Sequence, residues 1–306
     1  MKNSSKQPDL SVTFTGGFVV KRDWIVISTR VSYLDDDVEH TIVFTFKNGK
    51  WLQFDLDTTV VSLCAVDRPV PSLYCLSRDG GMNIRRSGGP TEERISDAGS
   101  GSRQLGYLRQ IRLIGSTLFV CGIGNQIYRR SKTGWVHFDE GVLDDRGASK
   151  RSGLFSIDGS SENNIYAVGK GGQVLHYGGE AWNKIESPSV KNLNWVRCPS
   201  ESDVYACGDA GLFQHTGNGW TEFSALTATG DLWCVEVFEN KVYVAGDSGL
   251  FVLNDKKLTK VTAAFDFGEG HRLHANDGVL WYFGVDKLCF FDGKKWTYVK
   301  HPDNPE

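Results

Sequence analysis

The sequence predicts an all-β fold, a single ring of seven sheets with four antiparallel strands each, and three observations carry that reading. A glycine closes a short apolar run at Gly122, Gly169, Gly208, Gly246 and Gly284, at intervals of 47, 39, 38 and 38 residues. Three residues before each stands a large side chain: Phe119, Tyr166, Tyr205, Tyr243 and Trp281. Twelve or thirteen residues after each, four of the five have tryptophan (Trp135, Trp182, Trp220 and Trp296), and the fifth has Leu258. A fixed period of about 40 residues with four short β runs per unit is what radially repeated sheets write into a sequence.

The clearest unit runs from 230 to 262. "LWCVEV" reads as strand A, "KVYVAG" as B, "GLFVLN" as C and "KLTKVT" as D. Both faces of A and B are apolar, which suits sheets covered on each side by a neighbour. The "GDAG" and "GDSG" turns supply residues that tolerate positive φ in a tight hairpin. Carried along the chain, the pattern gives units at 12–55, 60–95, 106–138, 153–185, 192–223, 230–262 and 268–299. They form one domain over 11–300, with a disordered tail expected at 1–10 and a C-terminal tail at 301–306. No strand is left over, so the first and last units are expected to meet directly and close the ring, which removes exposed sheet edges.

On the motif "VYACGDAGLFQHTGNGW" (204–220) and its copies, the units resemble the broad bacterial group of WD40-, YVTN-, kelch- and BNR-like β-propellers. The resemblance is strong from 106 to 299 and weaker before. It departs from each named class. No WD dipeptide closes strand C. The kelch pattern is approached in one unit only, by Gly171, Gly172, Tyr177 and Trp182. "SKTGW" (131–135) does not meet the Asp-box. The resemblance therefore implies a fold and transfers no catalytic residues.

Composition bounds the function loosely. Net charge is −3, and Gly is abundant at 35 against 8 Pro. Cys75, Cys121, Cys207 and Cys234 sit in strand-like runs and none forms a CxxC pair, which points to buried reduced thiols in a cytoplasmic protein. The opening "MKNSSKQPDLSV" has no apolar core of a signal peptide, and no run approaches the ~18 apolar residues of a membrane helix.

The search for chemistry is mostly negative. His271 and His274 lie three apart on a strand and face opposite ways, so they are not a ligand pair. The acidic turn "YLDDDVEH" (33–40) lacks the spacing of a calcium loop. "AGSGSRQLG" (98–106) lacks the lysine of a phosphate-binding loop, and no nucleophile elbow or HExxH is present. The turn positions Arg78, Ile123, Lys170, Asp209, Asp247 and Val285 make no acidic ring. No metal or cofactor is expected.

Function is expected where the repeat is uneven. Two connections between units, 96–106 and 139–152, are longer than the others and flank the third unit on one face. Charge is uneven too. Residues 78–151 hold 11 Arg and 2 Lys against 8 acids, whereas 201–286 hold 5 basic residues against 13 acids. Arginine forks carboxylates and is enriched at interfaces. In the pairs Arg85–Arg86 and Arg129–Arg130, one member of each is expected to cover a seam between units. The reading is a non-catalytic propeller, monomeric on its own, that captures a protein with an acidic surface on its loop face near units 2–4. An immunity protein that neutralises a bacterial toxin or effector is one such role. The candidate contacts are Arg103, Arg146, Lys150 and Arg151, with Asp144 and Asp145 shaping the loop; Arg146 and Arg151 are expected in solvent. Nucleic acid and membrane are not expected partners. The alternative is an enzyme, a lyase or glycan hydrolase, that works in the central channel through Cys64, Arg109, Arg112, Asp158, Arg197, Glu236 and His271.

Overall fold

The computed structural model describes residues 11–304 except 36, 102–103, 147–150, 210 and 224–229. It holds 28 strands in seven four-stranded antiparallel sheets, each built from four consecutive strands. The sheets stand as the blades of a β-propeller. The inner strands, A in each blade, are β1 (Val12–Lys21), β5 (Val60–Val66), β9 (Leu108–Ile114), β13 (Leu154–Ser161), β17 (Leu193–Arg197), β21 (Leu232–Phe238) and β25 (Gly270–Asn276). They wall the central channel.

The repeated glycine has a steric cause. At Gly122 and Gly246 the backbone is extended, and an added Cβ would lie 2.6 Å from the carbonyl oxygens of Tyr107 and Asp231, just ahead of the same blade's inner strand. Gly169 and Gly208 are tighter still, against Gly153 and Asn192. Strand B therefore ends where the chain entering strand A needs the space. The large residue three positions earlier, Phe119, Tyr166, Tyr243 or Trp281, is buried between blades. All seven cysteines are unpaired and buried.

An inner strand is an edge strand, so its outward N–H groups need acceptors. Side chains of the preceding blade supply them. Ser62 Oγ accepts from Ile111 N at 3.2 Å, Gln110 Oε1 from Ile157 N at 2.6 Å, Ser156 Oγ from Val196 N at 3.1 Å and Cys234 Sγ from Leu273 N at 3.2 Å. The strand-D tryptophans make an outer set of ties. Trp135 Nε1 donates to Glu93 of blade 2, Trp182 Nε1 to the carbonyl of Phe138, and Trp220 Nε1 to that of Glu186. The arginine pairs straddle seams as well. Arg85 stacks on Phe54 of blade 1 at 3.9 Å, and Arg130 pairs with Glu93 at 2.6 Å.

Blades 1 and 7 meet directly. Phe14 N donates to Val285 O, Val19 N donates to His274 Nδ1, and Phe18 packs on the His274 ring at 4.1 Å. Residues 301–304 pack back across this joint. Asn304 Oδ1 accepts from Val12 N at 2.9 Å while its Nδ2 donates to Asp286 O at 3.2 Å. His301 fills a cage of Phe14, Phe44 and Trp51. Burial pushes its pKa down to about 4.

Two expectations follow. Gly246→Ala forces a Cβ against backbone and should cost about 1–3 kcal/mol in denaturant unfolding. His301 is accommodated neutral, so its stabilising share is complete above the ordinary histidine value of 6.5 and is lost as pH falls toward 4. Melting temperature should fall over that window, and less so in His301→Phe.

Candidate functional site

The channel opens on two faces. On the face where the inner strands begin, here the upper face, lie the B–C turns and the connections 96–106 and 139–152. One feature recurs on every blade there. The pairing of strand A with strand B skips a residue near the start of A, leaving a β-bulge at Thr15, Val61, Arg109, Phe155, Asn194, Trp233 and His271. A bulged residue leaves the ladder and its side chain is re-aimed. Six of these seven, with Trp195, line a cavity of about 440 Å³ at the upper mouth of the channel.

Carboxylates of the upper turns hold three of the mouth residues. Asp209 accepts from Asn194 Nδ2 at 3.1 Å, Asp247 from Trp233 Nε1 at 2.7 Å, and Glu269 meets His271 Nε2 at 2.8 Å. Asp209 and Asp247 thus position mouth side chains besides making their turns. Arg109 stacks on Phe155 at 5.3 Å. Phe155, Asn194, Trp195, Trp233 and Arg272 are site residues that the sequence reading did not single out.

Deeper, the inner strands of blades 3 to 6 contribute Arg112, Asp158, Arg197 and Glu236 in alternating charge. Arg112 Nε binds Asp158 at 2.8 Å, Arg197 Nη1 binds Asp158 at 2.8 Å, and Arg197 Nε binds Glu236 at 2.6 Å. Burial alone would raise the Asp158 carboxyl; Arg112, Arg197 and the Cys198 N–H outweigh it and hold it below the usual range. Burial drives the Cys64 thiol up to about 11 and His274 well below its ordinary value. Cys64 is therefore a neutral thiol and His274 a neutral ring, and both carboxylates are committed to arginines. Among the described residues no group of three His, Cys, Asp or Glu side chains is disposed to hold a metal ion.

The two long connections join each other over blade 3. Arg151 Nη1 donates to the carbonyl of Gln104 at 2.8 Å and its Nε to that of Arg146 at 2.6 Å. Asp144 is buried and accepts from Arg146, from Ser152 N and from Ser152 Oγ, which drives its pKa far down, the Arg146 bond leading. His137, at the end of β12 (Gly134–His137), spans both loops, with Nε2 on Asp97 at 2.9 Å and Nδ1 on Asp139 at 3.0 Å. Arg146 is exposed, at 65% of its side chain, as is Asp145. Arg151 is not in solvent as expected. It is half-buried, because carbonyls of both loops converge on its guanidinium. Arg103 and Lys150 lie outside the described residues.

Charge is uneven across this face. Blades 5 to 7 place Asp209, Asp231, Asp247, Asp266, Glu269 and Asp286 on their upper turns and connections, whereas blades 2 to 4 carry both signs there, Arg78, Arg109, Arg146, Arg151 and Lys170 beside Asp79, Asp97, Asp139, Glu140, Asp144 and Asp145. Arg78 is paired with Glu39 and stacked on Tyr107 at 5.0 Å. Asp231 has its carboxyl raised, by burial and then by Asp209 and Asp247.

No family model matches the chain. A protein of Pseudomonas aeruginosa described as immune protein Tsi7 is 29% identical over 277 residues, covering 87% of this chain and 89% of that one. Among solved structures, the WD40 β-propeller domain of Doa1 superposes with a TM-score of 0.66 at 9% identity, over 96% of this chain and 94% of that one. A structure of YCF48 bound to D1 peptide gives 0.63 at 13%, over 96% and 94%. YCF48 from Cyanidioschyzon merolae gives 0.63 at 13%, over 93% and 96%. At these identities the structural matches establish the propeller fold.

The bridge at His137 makes the two-loop unit sensitive to pH. Burial would lower its pKa, but the bonds to Asp97 and Asp139 raise it above 6.5 overall. Its contribution is complete below 6.5 and is lost as pH rises through the raised folded value. The wild-type melting temperature should drop from pH 6 to pH 8.5 by more than that of His137→Gln.

Proposed function

We propose that the chain is a non-catalytic binding propeller whose upper face captures a protein, and that it serves as an immunity protein neutralising a toxin. The observation that carries this reading is the likeness to an immune protein along nearly the full length of both chains. The upper face supports it. Aromatic and arginine side chains gather at the mouth, the residue types that dominate protein–protein hot spots. The acid-rich turns of blades 5 to 7 beside the mixed charge of blades 2 to 4 suit orientation of a partner during approach. The arginines of the loops over blade 3 are the proposed contacts for an acidic patch on that partner, with Arg146 the exposed contact among the described candidates. The chain would act as a monomer in the cytoplasm, consistent with its buried unpaired cysteines.

The channel enzyme has less support. Its acids, Asp158 and Glu236, are each bound by arginine, and an acid–base pair needs carboxylates free to exchange protons near neutrality. That reading predicts turnover in a substrate screen which Asp158→Asn abolishes.

The test is capture from the native cell at low and high salt, followed by expression of the captured protein alone and together with this chain. One stoichiometric protein is expected, toxic alone and harmless on co-expression. Arg146→Ala should weaken its binding about tenfold, and because it strips buried Asp144 of its leading partner it should also lower the midpoint of denaturant unfolding. Arg151→Ala should lower the melting temperature, since it removes the tie between two loops. A captured protein with no toxicity, or nucleic acid released by salt, would overturn the proposal.

A further inference from the structure

Among the described residues, one deep arginine of the channel has no carboxylate within ion-pair distance. Three arginines reach the channel interior, Arg112, Arg197 and Arg272. The two carboxylates there, Asp158 and Glu236, are taken by the first two. Arg272 follows the bulge at His271 on β25. Its guanidinium lies 3.7 Å from the ring centroid of Trp195, which itself lines the mouth cavity. No carboxylate lies within ion-pair distance of it, and no hydrogen bond is made by its side chain, among the described residues. It keeps some solvent contact, which from an inner strand is contact with the channel. Burial, with Arg112 nearby, holds its pKa down to about 10 against the opposing pull of Glu236. Arg109, at the rim, likewise has an aromatic face and no carboxylate.

A guanidinium largely withdrawn from water with no carboxylate beside it is a cost to folding, and a fold keeps such a cost where function uses it. The surroundings say what would use it. The cavity above is walled mainly by Phe155, Trp195 and Trp233, wide enough at about 440 Å³ for a side chain with its flanking backbone. A planar fork over an indole presents its N–H edge to a carboxylate, and the aromatic walls exclude the water that would weaken the pair.

We infer that the upper mouth is a carboxylate socket: an Asp or Glu on a protruding segment of the protein partner enters between Trp195, Trp233 and Phe155, past Arg109 of the cavity wall, and is drawn to Arg272, which stacks on Trp195 from outside that lining. This rests on the protein-binding reading above and adds to it the chemistry of the contact. The uneven charge of the rim then steers, and the socket anchors.

The first measurement uses the isolated protein with the peptide Ac-Gly-Phe-Glu-Phe-Gly-NH2 and its Gln counterpart, read by the indole N–H resonances of Trp195 and Trp233, each assigned by its Trp→Phe variant. The Glu peptide should shift both signals and bind at least tenfold more tightly than the Gln peptide. Arg272→Gln should abolish that preference and Arg272→Lys should keep part of it. Arg272→Met should fold with a melting temperature equal to or above the wild type, because it removes an uncompensated charge. Equal shifts from both peptides, a preference that survives Arg272→Gln, or a large loss of stability in Arg272→Met would each overturn the inference. So would acetate alone saturating the site as tightly as the Glu peptide, which would make the occupant a small free carboxylate. The second measurement is capture of the toxin by Arg272→Gln, expected to fall at least tenfold. Undiminished capture would sink the socket and leave the immunity role standing; peptide binding without any toxin captured would do the reverse.

Discussion

The structure depends on satisfying the exposed N–H groups of seven inner strands. Each inner strand pairs on one side only, and the channel it borders is too narrow for another sheet. An unpaired backbone donor costs about 1–3 kcal/mol when buried. Ser62, Gln110, Ser156 and Cys234 meet this demand by reaching from one blade to the next. The acceptors sit on the residue after the bulge, so the bulge and the tie between blades are one device. The extra residue turns one side chain toward the mouth and leaves its successor aimed at the neighbouring blade. The tryptophans of the outer strands fasten the rim in the same direction of travel round the ring.

With the walls fastened this way, charge in the channel sorts into two levels. The lower one is self-contained, since Arg112, Asp158, Arg197 and Glu236 alternate in sign over consecutive blades and bind each other. The upper one is not, because Arg272 stands one layer nearer the mouth with an indole face and no acid. The same level is ringed by carboxylates of blades 5 to 7, yet Asp209, Asp247 and Glu269 spend their bonds on Asn194, Trp233 and His271. They fix the walls of the mouth and leave Arg109, on the same wall, and Arg272, behind Trp195, without an acid among the described residues.

Much of the architecture was legible in the sequence because its causes repeat. The glycine at the end of strand B recurs because the same backbone crosses it in each blade, as at Gly169 and Gly208. The outer tryptophan recurs because the same seam does. The mouth was not legible for the opposite reason. Its seven bulged positions hold seven different residue types, so no period marks them, and a bulge shows in a sequence only as one residue out of step. The two long loops were visible by their length. Their internal bonding was not, since nothing in "DDRGASKR" announces that Arg151 turns back onto the carbonyls of Gln104 and Arg146. His301 and Asn304 lie beyond the last repeat, where periodicity has nothing to say about them.

The bulge ring has a consequence for how such a surface changes over generations. A residue outside the ladder can be exchanged without breaking a strand pair, and each of the seven slots sits on its own blade. The mouth is thus a short text of six letters, here Thr, Arg, Phe, Asn, Trp and His, of which the frame reads three through turn carboxylates. Under the proposed binding role, a partner that alters its contact surface would be followed one letter at a time, with the strand ladders left as they were.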